Sequence, residues 1–497
     1  MWLRGFSSVP IKEKKKWDAL VIGAGHNGLI AATYLARGGL TVAVLERRHV
    51  IGGAAVTEEI IPGFKFSRCS YLQSLLRPSI VRELELVKHG LKLLKPLCTS
   101  FTPCLDGRYL LLWPNDDQNY LEISKFSKRD ADAYPRYESQ LHKFCKFMDF
   151  LLESHAPETL HGDSYLIDWL RDKLHKSVFW TRCLQHALSL GQKDLVHVEG
   201  GMGSVSLAIS KAAKEAGVHI LTNAEVSKLM IGDSGIVNGV LLTDGEQFCS
   251  SIILSNATPY KTFMELVPQN FLPDGFVRAI KNSDYRSGTT KINVAVDKLP
   301  QFKSCRLNYP EVGPQHTATI RIGSESMEQI GAACQDAWNG LPSRTPVMEM
   351  TIPSSLDKTL SPPGKHVVGL FTQYTPYKPL DGSWEDPIYR ESYAQRCFNL
   401  IDEYAPGFSS SVIGYDMLTP PDLEREFSLT GGNIFHGAMG LDSLFLMRPI
   451  KGWSDHRTPI RGLYMCGSGS HPGGGVMGAP GRNAAHVVLQ DVKKRSR

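Results

Sequence analysis

Glycines at a spacing suited to phosphate binding occur close to the N-terminus of the chain. A short apolar run at residues 18–22 leads into Gly23, Gly25 and Gly28, and a second apolar run ends at Glu46. Gly23 allows a tight turn, Gly25 lets a pyrophosphate approach the backbone, and Gly28 lets a helix pack closely on a sheet. The helix N-terminus points free N–H groups at the phosphates, and the Glu46 carboxylate can accept from ribose hydroxyls. The pattern predicts a dinucleotide site, and the intact acid disfavours NADP.

The residues after Glu46 distinguish between two kinds of dinucleotide. Arg47 comes next, and Gly52 and Gly53 follow a few positions later. Paired glycines permit a second close approach of backbone to phosphate. This spacing resembles the extended FAD signature of the glutathione-reductase-like and amine-oxidase-like flavoproteins. The resemblance implies that Arg47 lies beside the adenosine and that Gly52 and Gly53 lie against the pyrophosphate.

A second glycine-rich segment occupies residues 462–481, before a helical pattern that runs towards the C-terminus. It resembles the segment of phytoene-desaturase-like flavoproteins that lies against the flavin ring and its ribityl-phosphate arm. The resemblance implies that Gly467 and Ser468 lie near the pyrophosphate or the ribityl chain. It also implies that three residues lie near the pyrimidine end of the isoalloxazine: Gly475, Val476 and Met477.

His471 is the one titratable side chain in the loop of this second segment, residues 467–478. It is a candidate for direct proton transfer, because an imidazole titrates near neutral pH. The alternative interpretation is that its ring only fixes the loop geometry. No paired carboxylates and no Ser/His/Asp set mark any other catalytic residue.

Segments between the two glycine clusters fit the same architecture. Residues 198–203 precede a helical pattern, and by resemblance the chain re-enters the FAD domain there, with the backbone at Val226 beside the adenine. Alternating polarity predicts strands at residues 291–297 and around 366–373, in the sheet of a substrate domain. Residues 420–424, which start with two prolines, are predicted as a loop.

Together these motifs resemble the phytoene desaturase/amine oxidase superfamily of FAD oxidoreductases over most of residues 17–497. The resemblance implies an α/β fold, with a discontinuous glutathione-reductase-type, Rossmann-like FAD-binding domain and an inserted α+β substrate domain. The FAD-binding domain is predicted at residues 17–130, 198–260 and 445–497, and the substrate domain at residues 131–197 and 261–444. Relatives carry a longer helical segment before Val198, so several tens of residues are expected to be missing here.

The expected reaction is hydride transfer from a small apolar or amine-type substrate to N5 of FAD. Disulfide chemistry is not expected, because Cys98 and Cys104 are separated by five residues and lie outside the flavin motifs. One alternative is a non-catalytic interaction or regulatory protein of mitochondria that keeps the FAD fold, and the missing segment favours it. Another is an NAD-dependent dehydrogenase, which leaves the C-terminal glycine cluster unexplained.

The composition limits the remaining possibilities. The chain has 497 residues, of which 42% are hydrophobic and 21% charged, and no run of 18 apolar residues predicts a transmembrane helix. A peripheral membrane contact stays open. Residues 1–16 carry +4 of the net charge of +5, so the rest of the chain gives no electrostatic footprint for nucleic acid. Ten cysteines without CxxC spacing predict neither a disulfide scaffold nor a metal site.

The first sixteen residues are predicted to act as a targeting segment. Residues 1–10 combine large apolar side chains, Arg4, two serines and no acid, which resembles a short mitochondrial presequence. The prediction is a matrix location, with a mitochondrial protein partner left open. The alternative is a disordered basic tail.

Overall fold

The computed structural model describes residues 16–153, 195–305, 312–440 and 442–495. The strands in these ranges are β1 (Ala19–Ile22), β2 (Val42–Leu45), β3 (Thr57–Ile61), β4 (Phe64–Ser67), β5 (Leu93–Leu94), β6 (Ser100–Pro103), β7 (Tyr109–Leu112), β8 (His197–Val198), β9 (His219–Leu221), β10 (Val226–Ile231), β11 (Val237–Leu242), β12 (Gln247–Cys249), β13 (Ile253–Ser255), β14 (Thr289–Val296), β15 (Thr319–Ile322), β16 (Val347–Thr351), β17 (His366–Gln373), β18 (Val412–Leu418) and β19 (Leu463–Met465).

Helices pack against the two largest of the five sheets that these strands form. The α-helices are α1 (His26–Arg37), α2 (Pro78–Glu83), α3 (Asp116–Ser124), α4 (Lys128–Glu153), α5 (Gly203–Glu215), α6 (Asp274–Asn282), α7 (Pro314–Thr317), α8 (Met327–Trp338), α9 (Pro387–Tyr404), α10 (Phe408–Ser411), α11 (Pro420–Phe427) and α12 (Ala479–Arg495). No helix in the described ranges is both long enough and apolar enough to span a membrane.

The first sheet is parallel, with the strand order β19-β13-β1-β2-β9. Its strands come from residues 19–45, 219–255 and 463–465, so three separated stretches of chain build one sheet. All residues of β1 and β2 are buried, as expected for parallel strands that are covered on both faces. Helix α1 packs against one face together with α5 and α12 in a single apolar cluster. The α/β class is confirmed, with a Rossmann-like sheet at its centre.

The second sheet has seven strands in the order β18-β14-β17-β16-β15-β6-β7. It contains both predicted substrate-domain strands, since β14 and β17 pair antiparallel along their whole length. One face of this sheet packs against α9 through an apolar core that includes Phe398 and Ile401. Strand β4 covers part of the opposite face, with Phe64 and Phe66 against Ala295 and Val367, and another part of that face lines the cavity described below.

The structure differs in two places from what the sequence predicts. Strands β6 and β7 lie within the predicted first segment of the FAD domain, residues 17–130, yet they belong to the second sheet. The reason is a long-range parallel pairing of β6 with β15, at Ser100 and Thr319, which no local pattern signals.

The predicted loop at residues 420–424 is wrong, because these residues begin helix α11. Proline is tolerated in the first turn of a helix, where its missing N–H has no partner to lose. The Asp422 carboxylate accepts from the N–H of Thr419 at 3.0 Å and caps the helix start. Residues 1–15 of the predicted presequence, and residues 154–194 of the predicted substrate domain, lie outside the described residues.

Candidate functional site

A cavity of about 1390 Å³ extends from the first sheet to the second. Sites for one small ligand usually measure about 300–1,000 Å³, so this cavity has room for a dinucleotide and a second molecule. Gly23 and Glu46 line it from the first sheet, and Glu349 and Phe371 line it from the second. The two ends of the cavity therefore have different chemistry.

The turn from β1 into α1 has the geometry that the sequence predicts. Gly23 has a φ of +91°, which favours glycine. A Cβ at Gly25 would lie 2.8 Å from Nδ2 of Asn256, and a Cβ at Gly28 would lie 2.2 Å from the carbonyl oxygen of Gly23. Glycines keep this loop open for a phosphate and keep the helix close to the strand.

Glu46 lies at the end of β2 and is buried. Its Oε2 accepts from the N–H of Ala24 at 2.7 Å, and its Oε1 accepts from the N–H of Arg48 at 2.9 Å. Burial raises the pKa of the carboxyl, although both N–H groups and the two neighbouring arginines oppose the shift. The acid is thus held beside the glycine turn, where ribose hydroxyls could reach the remaining lone pairs.

Arg47 and Gly53 also line the cavity, but they contact different parts of the protein. Arg47 Nη2 donates to the carbonyl of Arg425 at 2.9 Å and to that of Glu426, so it also bonds to the end of α11. Gly53 has a φ of +56°, and a Cβ there would lie 3.3 Å from Cα of Gly25. The glycine pair Gly52 and Gly53 therefore packs directly on the loop that contains Gly25.

The C-terminal glycine segment closes on the N-terminal loop. Nδ2 of Asn27 donates to Oγ of Ser468 at 3.3 Å, and Nε2 of His26 donates to the carbonyl of Gly475 at 3.2 Å. A Cβ at Gly467 would lie 2.9 Å from the carbonyl oxygen of Asn256. The two motifs that the sequence singles out at opposite ends of the chain thus form one wall.

Most of the predicted site residues reach the cavity. Those that line it are Gly23, Gly25, Glu46, Arg47, Gly53, Val226, Ser468, Gly475 and Val476. Those outside the lining are Gly28, Gly52, Gly467, His471 and Met477. The three glycines of the second group act by allowing close packing. His471 is 2% exposed, and its ring lies 6.5 Å from that of Phe445 and 6.3 Å from that of His456, so its position favours the loop-fixing interpretation.

A row of three charged residues and one aromatic residue, which was not predicted, crosses the second sheet. Its members are Arg321, Glu349, Phe371 and Lys291, which stand directly opposite one another on β15, β16, β17 and β14. Directly paired residues point to the same face of a sheet, so all four face the cavity side. The available signal in the sequence was a single charged residue between apolar residues in each short strand. An exposed edge strand has the same alternation, so this signal does not identify the row. We call these four residues the cross-sheet row.

Lys291 lies just behind the cavity wall. It is 2% exposed, and its Nζ donates to Oδ1 of Asn293 at 2.6 Å. Nζ also lies 5.7 Å from the ring centroid of Tyr71, which lines the cavity. A Cβ at Gly369 would lie 3.0 Å from Nζ, so that glycine leaves room for the amine. Burial lowers the pKa of Lys291 to about 8.

Two further residues contribute to the site, and the first belongs to residues 430–440, which resemble the family segment that lines the substrate cavity beside the flavin. His436 lines the cavity, and burial lowers its pKa to about 3, so its ring is neutral. Arg448 is buried, and its guanidinium donates to the carbonyls of Ser468 at 2.8 Å and Ala438 at 2.9 Å, and to further carbonyls nearby. It fixes the C-terminal glycine segment to the loop that carries His436.

The cavity wall also bears on disulfide chemistry. In the described ranges, Cys69 is the cysteine that lines the cavity. Burial raises the pKa of its thiol to about 12, and Cys98 lies in the core of the second sheet. The described residues place no pair of reactive thiols at the site.

The residues present fit FAD. Glycines whose Cβ atoms would fill the loop, a buried acid at the end of β2 and the start of helix α1 meet at one end of the cavity. These are the groups that a pyrophosphate and a ribose require. The other end is long enough and apolar enough for a ring system and a substrate.

Comparisons with known proteins identify the family of the chain. A family model described as flavin containing amine oxidoreductase matches residues 106–368, and one described as NAD(P)-binding Rossmann-like domain matches residues 21–79. The chain belongs to the family of flavin-containing amine oxidoreductases. It is an FAD-dependent oxidoreductase.

Individual relatives cover almost the whole chain. The mouse protein named pyridine nucleotide-disulfide oxidoreductase domain-containing protein 2 is 46% identical, over 99% of this chain and 96% of its own length. A phytoene desaturase (lycopene-forming) from Pseudescherichia vulneris is 25% identical over 95% of this chain and 99% of its own length. Among solved structures, cyclohexylamine oxidase from Brevibacterium oxydans has a TM-score of 0.55 at 15% identity, covering 96% of this chain and 100% of that chain.

Proposed function

We propose that the protein oxidises a small apolar or amine-type substrate by hydride transfer to N5 of FAD. The observation that carries the proposal is one continuous cavity with the glycine loops at one end and the second sheet at the other. Bound FAD supplies the hydride acceptor, which no side chain can replace. The names of two relatives support this choice of substrates, since one is a phytoene desaturase and the other a cyclohexylamine oxidase.

The glycine loops and their neighbours would hold the cofactor. Gly25 and Gly53 would let the pyrophosphate approach the backbone, and Glu46 would accept from the ribose. Val226 would place its backbone beside the adenine, and Ser468 would lie along the chain between adenine and ring. Holding the cofactor from both ends of the sequence fixes its orientation relative to the second sheet.

The apolar side chains that line the chamber would exclude water from the reacting atoms. Leu110, Phe371, Phe435 and Val476 are among them. A dry chamber strengthens electrostatic interactions and prevents loss of a hydride equivalent to solvent. Lys291 can hold or release a proton at Nζ near neutral pH, because its pKa is lowered to about 8.

Anaerobic bleaching of the bound flavin tests the proposal. The FAD-loaded protein is mixed without oxygen with a panel of amines and unsaturated hydrocarbons, and the oxidised-flavin absorbance is followed. We expect one class to bleach the flavin and deuterium at the reacting carbon to slow the bleaching. Flavin that dithionite reduces but no compound of either class reduces would contradict the proposal.

A second candidate is a non-catalytic protein that keeps the FAD fold as an interaction or regulatory scaffold. The alignment with the mouse relative favours it, because that alignment has 563 positions against 497 residues here, so at least 66 positions (563 − 497) are missing from this chain. The expected place of the missing residues is just before Val198. The bleaching experiment separates the two candidates, because a scaffold binds FAD without substrate-dependent reduction.

We further propose that the protein works in the mitochondrial matrix. The support is the composition of residues 1–10, which combine Arg4 with apolar and hydroxyl side chains and contain no acid. A C-terminal fluorescent fusion should enter mitochondria, and deletion of residues 2–10 should leave it in the cytosol. Equal distribution of both fusions would contradict the proposal.

A further inference from the structure

The cross-sheet row is the polar part of the substrate end of the cavity. Arg321, Glu349 and Phe371 all line the cavity, and their register places them side by side on three neighbouring strands. Polar groups of this kind in a mostly apolar chamber select a matching polar group on the ligand. The hydrogen-bonding capacity and the charge of the row determine which polar group of a ligand it can bind.

The carboxylate of the row is already occupied. One oxygen of Glu349 accepts from Nη1 of Arg321, and the other accepts from the hydroxyl of Tyr71. The Tyr71 ring in turn packs 5.3 Å from the ring of Phe371. Glu349 is therefore held in place and serves to orient Arg321.

The guanidinium of the row is largely unused. Among the described residues, Arg321 uses one N–H group, in the bond to Glu349, and a guanidinium carries five. The Arg321 side chain is 37% exposed and lines the cavity. The free hydrogen-bonding capacity of the row is thus donor capacity, in a fork that matches the two oxygens of a carboxylate.

The charges of the row favour an anion as well. Arg321 and Lys291 are two cations against the single carboxylate of Glu349. Asp416 also acts on the charge of Lys291, but Arg68 engages this acid at 3.1 Å. The other carboxylates of the substrate end, Asp116 and Glu138, belong to helices α3 and α4 rather than to this row.

We propose that the substrate carries a carboxylate that binds Arg321 in a forked hydrogen bond, with its apolar part along Tyr71 and Phe371. The inference rests on the proposed function and narrows it: the apolar or amine-type donor is an amphipathic acid. Glu349 is then a positioning residue that holds the guanidinium flat against the sheet.

Titration calorimetry on the FAD-loaded protein tests the proposal without turnover. The probes are cyclohexanecarboxylate and cyclohexanecarboxamide, which have the same shape and differ in charge. We expect the acid to bind about tenfold or more tightly than the amide. Arg321→Met should abolish the preference. Arg344→Met is the matched control and should keep it, because Arg344 is 80% exposed and pairs with Asp336 outside the cavity.

A second variant keeps the test decisive if Arg321→Met fails to fold. Glu349→Gln keeps a side-chain oxygen that can accept from Arg321 and hold it in place, but it removes the negative charge that repels a bound carboxylate, so the acid should bind several-fold more tightly than in the wild type. Equal binding of acid and amide, no binding of either, or a preference that survives Arg321→Met would overturn the proposal. The flavin spectrum of each variant reports separately on the proposed function, because that function requires bound FAD but not Arg321.

Discussion

Nε2 of His26 donates to the carbonyl oxygen of Gly475 at 3.2 Å, across 449 positions of sequence. His26 starts helix α1, directly after Gly25, and Gly475 belongs to the C-terminal glycine segment. Burial lowers the pKa of His26 to about 4, so the ring is neutral at physiological pH and keeps its proton on Nε2 for this bond. This hydrogen bond and the one from Asn27 to Ser468 join the two motifs that form the cofactor end of the cavity.

The His26 bond predicts a dependence of stability on acid. The pKa of His26 falls from 6.5 in the unfolded chain to about 4 in the folded protein. As the pH drops below 6.5, the unfolded state takes up the proton first, so stability is lost until the pH reaches about 4. Between pH 7 and pH 5 the wild type should lose about 2 kcal/mol more than His26→Gln.

Urea unfolding at the two pH values measures this difference. His49→Gln is the matched control, because His49 is exposed in the loop after Glu46, and it should lose as much stability as the wild type. If His26→Gln and the wild type lose equal stability, His26 is not held neutral in the folded protein.

The glycine loop predicts a loss of cofactor affinity in Gly25→Ala. The new Cβ would lie 2.8 Å from Nδ2 of Asn256 and would occupy the approach of the phosphate. FAD affinity, measured by fluorescence quenching on reconstitution, should fall by about tenfold or more. Gly331→Ala in α8 is the control, since a Cβ there meets nothing within 4 Å, and it should bind FAD normally. Equal affinity in both variants would mean that the phosphate lies elsewhere.

Arg448 is predicted to be required for the stability of the C-terminal glycine segment. Its guanidinium donates to carbonyls of Ser468, Ala438 and Ser443 at 2.8–3.0 Å. Arg448→Met leaves these buried acceptors without partners and should cost about 3–5 kcal/mol. Thermal unfolding checks this, with Arg286→Met as the control because Arg286 is 74% exposed and its partner Asp284 is 41% exposed. A loss below about 1 kcal/mol would show that water replaces the guanidinium.

The lowered pKa of Lys291 predicts that the rate of flavin reduction changes with pH above neutrality, which gives the pH–rate profile an alkaline limb. The pKa of Lys291 is lowered to about 8, so its charge changes between pH 7 and pH 9. The rate of anaerobic bleaching by a substrate should follow an apparent pKa near 8 in the wild type and lose that limb in Lys291→Met. The exposed Lys281→Met is the control. A limb that persists in Lys291→Met assigns the titration to another group.

The sequence is most informative where function depends on local backbone geometry. Gly23, Gly25 and Gly28 stand within six positions, and each has a steric reason that a motif can encode. Arg321 and Lys291 could not be predicted in the same way, because the strand order of the second sheet decides which residues share its face. The helix at Pro420 was missed because proline is compatible both with a loop and with a first helical turn.

The visible absorption spectrum of the purified protein shows whether the chain binds FAD, on which every proposal above depends. Heat release of the chromophore and comparison with the protein concentration give the number of FAD molecules per chain. We expect flavin bands and about one FAD per chain. A folded, colourless protein that takes up no added FAD would contradict it.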